Sequence, residues 1–105
     1  MRAFRRWYAA TSAGKASVDA ITSVLSKELA TRKIRVNAVN PGMIVTEGVK
    51  PAGVHEGELC TWIETATPMG RVGKVEEIAS VVTFLASEGA CCITGETLHV
   101  TGGFR

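Results

Sequence analysis

Two short stretches of this chain alternate apolar and polar residues, and they are far apart. In KIRVNAVNPG, Ile34, Val36 and Ala38 alternate with Lys33, Arg35 and Asn37 until Pro41-Gly42 ends the run. In GETLHVTGG, Leu98 and Val100 alternate with Thr97, His99 and Thr101. Period-two patterns closed by turn residues mark strands. The spacing predicts one strand over Lys33–Val39 and a second within 95–103, with Leu98 and Val100 on one face. Between them, Val75–Ser87 carries Ile78, Val81, Val82, Phe84 and Leu85 at helical spacing. Strand, helix and strand make a βαβ unit, with parallel strands and a right-handed connection.

A two-stranded sheet is marginal alone, and a parallel sheet is normally covered on both faces. The expected fold is therefore α/β, half of a doubly wound parallel sheet, completed by association with further copies. Before the first strand, residues 8–31 read as one long helix, with Val18, Ile21, Val24, Leu25 and Leu29 in helical period and no proline. Residues 43–70 read as irregular, broken by Gly48, Pro51, Gly53 and Gly57, with a short helix around Glu58–Thr65. Pro68–Gly73 reads as a loop.

Composition narrows the class. At 105 residues one domain is expected. Hydrophobic residues at 46% and charged residues at 21% argue against disorder. A net charge of +2 without long blocks argues against a nucleic-acid or anionic-membrane partner. Arg2, Arg5 and Arg6 resemble the start of a signal peptide, but no continuous apolar run follows. No stretch approaches the roughly 20 apolar residues of a spanning helix. Cys60, Cys91 and Cys92 are odd in number and two are adjacent, while His55 and His99 stand alone. That pattern suits reduced thiols in a cytoplasmic protein and no metal site.

Four segments in order, KASVDAIT, LSKELATRKIRVNAVNPGMIVTEG, TPMGRVGKVEEIASVVTFLAS and ITGETLHVTGG, resemble the C-terminal half of the short-chain dehydrogenase/reductase family. The resemblance is to the 3-oxoacyl-acyl carrier protein reductase and glucose dehydrogenase type, and runs from about residue 8 to residue 103. It implies a Rossmann-like fold and an NADP- or NAD-dependent oxidoreductase acting on a carbonyl or enoyl substrate. In that family a tyrosine moves a proton at the reacting oxygen, and a lysine lowers its pKa and binds the nicotinamide ribose. A phenol of pKa near 10 is a poor base at neutral pH without such a cation.

The resemblance makes Lys15 that lysine. The usual spacing puts the tyrosine at position 11, which is Thr11. Tyr8 lies seven residues before Lys15, the Y-x6-K spacing of the enoyl-acyl carrier protein reductases. On a helix Tyr8 and Lys15 share a face roughly 10 Å apart along the axis, with Ser12 between them. Tyr8, Ser12 and Lys15 are the candidate catalytic stripe; the competing reading is a packing face. NPGMIVT matches the family's nicotinamide loop. There Pro41 and Gly42 would let the backbone approach the ring, the Ile44 backbone would meet the carboxamide, and Thr46 would bond to the cofactor. The competing reading is a plain strand-ending turn. By the same resemblance residues 47–66 form the substrate lid, and Gly102-Gly103 lies near a subunit contact.

No glycine-rich phosphate loop follows a strand in this sequence. The expectation is a single truncated domain over residues 1–105, lacking the dinucleotide-binding half, with weak cofactor binding or none. Three readings stay open: a truncated oxidoreductase; a cofactor-independent esterase or retro-aldolase reusing the stripe, through a Lys15 Schiff base or a Ser12 or Tyr8 nucleophile; or a non-catalytic oligomerisation module. The expected partners are a small-molecule substrate and the chain itself, as homodimer or homotetramer. A helix over Tyr8–Ala30 carries Val18, Ile21 and Leu25, which two strands cannot cover, and the first strand leaves a free edge.

Overall fold

A computed structural model describes residues 2–45 and 58–104, with side chains over 9–44 and 61–104. In chain order the elements are α1 (Arg2–Leu29), a 3-10 turn (Ala30–Arg32), β1 (Ala38–Pro41), β2 (Ile44–Val45), α2 (Glu58–Ala66), β3 (Gly73–Lys74), α3 (Val75–Ala86), a 3-10 turn (Glu88–Ala90) and β4 (Thr97–Val100). β1 pairs with β4, and β2 with β3. Gly95 N donates to Val36 O, Ala38 N to Glu96 O and Gly42 N to Val100 O. Residue numbers rise together along both chains, so β1 and β4 run parallel, as the crossover required. β2 and β3 are parallel as well, with Ile44 opposite Gly73. The chain divides into two compact units: Met1–Ala38 with Cys91–Thr97, and Val39–Ala90 with Leu98–Arg105.

In the first unit α1 starts at Arg2, six residues before the expected start. Residues 2–7 contain no glycine or proline, and Arg and Ala favour the helix. The C-terminus is a Schellman motif. Lys33 N donates to Ala30 O at 2.9 Å and Ile34 N to Leu29 O at 3.2 Å. Lys33 adopts φ 57°, a left-handed position that glycine usually fills.

The strand expected over Lys33–Val39 begins only at Ala38. Lys33 closes the helix, and residues 34–37 make extended contacts in which side chains supplement the one backbone rung, from Gly95 N to Val36 O. Val36 N donates to Thr94 Oγ1, and Asn37 Nδ2 donates to Ile93 O at 2.9 Å. Asn37 Oδ1 accepts from Glu96 N at 3.1 Å. The amide of Asn37 thus takes the donor and acceptor work of a backbone rung, and regular pairing starts one residue later.

The packing face of α1 is polar and small. Thr97 Oγ1 donates to Asp19 Oδ1 at 3.0 Å. Thr22 and Ser26 are buried, and their hydroxyls donate back to Val18 O and Ser23 O. Gly95, at φ +76°, lies so close that an added Cβ would sit 2.7 Å from Ser26 Oγ. By contrast Val18, Ile21 and Val24 are each more than half exposed. The helical period is therefore real, but its apolar stripe does not face the chain's own 91–97 segment.

In the second unit α2 ends at Ala66, one residue beyond the expected helix. Ile63 and Thr67 are buried, and Thr67 Oγ1 donates to Ile63 O at 2.6 Å. Trp62 meets Phe104 edge to face at 5.9 Å. α3 ends at Ala86, and Ser87, expected inside it, is its C-cap. β2 and β3 fall where the sequence pattern suggested irregular chain and loop; each is two residues long, too short to show a period. On β4, Leu98 is 41% exposed, so the alternation of that strand does not define a buried apolar face. Of the expected lid over 47–66, residues 47–57 lie outside the described residues, and 58–66 are helical.

Candidate functional site

In the second unit the site is built on the turn that follows β1. Pro41 ends the strand where its missing N–H removes no rung. Gly42 N donates to Val100 O at 2.9 Å. A Cβ on Gly42 would lie 2.8 Å from Thr101 Cα, a backbone atom that cannot swing aside, so only glycine fits. The chain then enters β2, where Gly73 N donates to Met43 O at 3.0 Å. In a parallel pair the residue opposite a bonded partner turns its own N–H and C=O to the far edge. With Ile44 opposite Gly73, the peptide groups of Ile44 point away from β3. Thr46, the next expected contact, lies outside the described residues.

Beside this turn is a cavity of about 210 Å³. Met43, Ile44, Met69 and Val100 give it apolar walls, and Arg71 and Glu77 stand at its polar side. Gly73 approaches Ile44 closely enough that a Cβ would meet Ile44 Cδ1 at 2.7 Å. Arg71 donates through both terminal nitrogens to Glu77, at 2.8 and 2.5 Å. Glu77 Oε2 also accepts from Lys74 N at 2.8 Å, capping α3. A lysine ammonium has no acceptor, so this is half of a capping box. The Arg71 bonds, then the Lys74 N–H, hold the Glu77 carboxyl down at about 2, and the pair raises the Arg71 guanidinium.

In the first unit Tyr8, Ser12 and Lys15 all fall within α1. Ser12 and Lys15 are exposed; the side chain of Tyr8 lies outside the described ones. At about 100° per residue, positions 8, 12, 15, 19, 22 and 26 lie within about 40° of one line along the helix. The candidate stripe therefore continues into Asp19, Thr22 and Ser26. Asp19 bonds Thr97, Ser26 lies against Gly95 and Thr22 is buried, whereas Ser12 and Lys15 are exposed. Thr11, where the usual tyrosine would stand, is also exposed on α1.

Asp19, Arg71 and Glu77 carried no signal of their own in the sequence. Among the described residues no three His, Cys, Asp or Glu side chains gather as a metal site, and no helix is long and apolar enough to cross a membrane. Cys91 and Cys92 are exposed free thiols.

The sequence profile of the enoyl-(acyl carrier protein) reductase family matches residues 2–105. The chain is 44% identical over 94 residues to the 3-oxoacyl-[acyl-carrier-protein] reductase of Pseudomonas aeruginosa, covering 88% of this chain and 36% of that protein. The fold superposes on a short-chain dehydrogenase/reductase of the glucose/ribitol dehydrogenase type from Brucella melitensis with TM-score 0.76 and 42% identity, over 89% of this chain and 36% of that one. It superposes on a 4-hydroxyisoleucine dehydrogenase solved with NADH with TM-score 0.84 and 29% identity, over 92% and 40%. These are Rossmann-type α/β proteins, and the parallel pairs described above are part of that architecture. The chain belongs to the short-chain dehydrogenase/reductase family. It spans 36–38% of the length of the first curated relatives it matches.

Proposed function

We propose that these residues serve a nicotinamide-dependent oxidoreductase acting on a carbonyl or enoyl substrate. The observation that carries this is the turn over 41–44: its glycine is required by a 2.8 Å approach to Thr101, and its register turns the Ile44 peptide groups away from β3, to an edge that no strand pairs among the described residues. An outward N–H and C=O match the donor and acceptor of a carboxamide, so the residues present fit the nicotinamide of NADP or NAD. Ile44 would hold the carboxamide, with Pro41 and Gly42 keeping the backbone close and Thr46 adding a further bond. The cofactor supplies a hydride when bound. The chain's own part is the proton. Tyr8 gives or takes it at the phenol oxygen, Lys15 stabilises the phenolate and binds the ribose, and Ser12, between them, orients the reacting oxygen.

The partner proposed alongside the small-molecule substrate is a second copy of the chain. The exposure of Val18, Ile21 and Val24 on α1 supports it. Hydrolase and retro-aldolase chemistry draw on the same three side chains and have no further observation in their favour.

The binding test is titration of the 105-residue chain with NADPH and NADH, followed by tryptophan fluorescence and by amide NMR. With no glycine-rich phosphate loop in the chain, saturation is expected in roughly the millimolar range, about 4 kcal/mol. The Ile44 amide should shift with the same midpoint. Saturation that leaves the Ile44 amide unmoved would overturn the placement of the carboxamide. A dissociation constant of about 10 μM would show that a complete site has been rebuilt.

A further inference from the structure

Lys15 and Asp19 are four residues apart on one face of α1, a spacing at which opposite charges pair on a helix, with the lysine N-terminal as the weaker of the two orders. Yet no ion pair joins them among the described residues; the pair present is Arg71 with Glu77. Asp19 is instead held from across the unit, through the 3.0 Å bond that its Oδ1 accepts from Thr97 Oγ1. Asp19 is partly buried at that contact, whereas Lys15 is exposed. Neighbouring contacts fix the geometry. Gly95 presses on Ser26, and the Asn37 amide bonds Ile93 and Glu96 on the segment that carries Thr97. Thr97 therefore reaches Asp19 from a backbone held on either side of Gly95.

We infer that Thr97 and Asp19 are positioning residues: the Thr97 hydroxyl tethers the Asp19 carboxylate away from Lys15, and so keeps the ammonium free for the Tyr8 phenolate and the nicotinamide ribose. This rests on the Tyr8–Lys15 reading proposed above. Without the tether, Asp19 and Lys15 pair in the i to i+4 manner. The cation at the centre of the stripe is then partly neutralised. The tether also sets the rotation of α1 about its axis, because Asp19 lies on the same line as Tyr8, Ser12 and Lys15.

Two readouts separate the tether from the reading it rests on. The first needs no activity. A zero-length carbodiimide joins a lysine amine to a carboxylate only when they touch, forming an isopeptide with loss of one water, located by peptide mass mapping. Thr97→Val and Thr97→Ala should raise the Lys15–Asp19 isopeptide about 1.4-fold over wild type, the population change at the weak end of the range for a helix ion pair. Thr97→Ser, which keeps the hydroxyl, should stay at the wild-type yield. An unchanged yield in both Val and Ala variants, shown folded by circular dichroism, overturns the tether.

The second readout is the absorbance titration of Tyr8, the one tyrosine in the chain. Thr97→Val should move the phenolate midpoint up, and adding Asp19→Asn should cancel the move. A purely structural role for Thr97 predicts no such cancellation, so persistence of the shift in the double variant also overturns the tether. If Lys15→Ala leaves the phenolate midpoint where it was, the Tyr8–Lys15 reading fails, and the isopeptide yield still decides the tether.

Discussion

Replacing Gly42 by alanine adds one methyl group where the structure has no room for it. The new Cβ would lie 2.8 Å from Thr101 Cα and 3.2 Å from both Thr101 Cβ and Thr101 O. Two of these three atoms are backbone, so relief requires the turn and the end of β4 to move apart. Overpacking of this kind costs about 1–3 kcal/mol, and a rigid neighbour puts Gly42→Ala in the upper half of that range. At about 4–8 °C per kcal/mol for a small domain, a cost of about 2 kcal/mol lowers Tm by about 8–16 °C. Movement also stretches the bond from Gly42 N to Val100 O and shifts Ile44, so nicotinamide binding should weaken together with stability. Gly14→Ala is the control. It sits inside α1 with nothing within 4 Å of its added Cβ. It should raise stability by about 0.5–1 kcal/mol. Urea and thermal melts followed by far-UV circular dichroism give both numbers. A Gly42→Ala variant as stable as wild type, beside a stabilised Gly14→Ala, would refute the close approach of the turn to Thr101.

Three further outcomes are expected. Because Arg71 and the Lys74 N–H hold Glu77 near 2 in the folded chain, against 4.5 ordinarily, its contribution to stability is complete above pH 4.5 and is lost as pH falls through about 2. Acid melts of Glu77→Gln should thus lack part of the wild-type loss in that window; parallel curves would contradict the pairing. If the chain turns over substrate, Tyr8→Phe and Lys15→Ala should each lower kcat by about a hundredfold or more while Thr11→Val matters little; the reverse pattern in steady-state kinetics would return the catalytic position to residue 11. Light scattering should report a homodimer or homotetramer held through the exposed α1 stripe, and Ile21→Lys should dissociate it. A cooperative monomer of 11.1 kDa would show that those side chains need no partner.

Two of the three helices were legible almost to their ends because the causes are local, whereas α1 begins six residues before its expected start. α2 and α3 fall within one residue of the pattern, since side-chain period, turn residues and caps act over one or two turns of chain. The parallel pairing of β1 with β4 was legible too, because a helical crossover between two strands leaves little else. A nicotinamide role for the turn at Pro41-Gly42 could be proposed only by resemblance. That Gly42 must be glycine depends on Thr101, which lies far along the chain but close in space. Tertiary structure alone decided where β1 begins, because the Asn37 side chain satisfies Ile93 and Glu96 in place of backbone. It alone decided that β2 and β3 exist, since two-residue strands have no period to read. It also decided which face of α1 is buried. Hydrophobic period located an apolar stripe at Val18, Ile21 and Leu25, but the segment at Gly95–Thr97 offers backbone and a hydroxyl. A polar line of Asp19, Thr22 and Ser26 fits against it more closely than branched aliphatic side chains can.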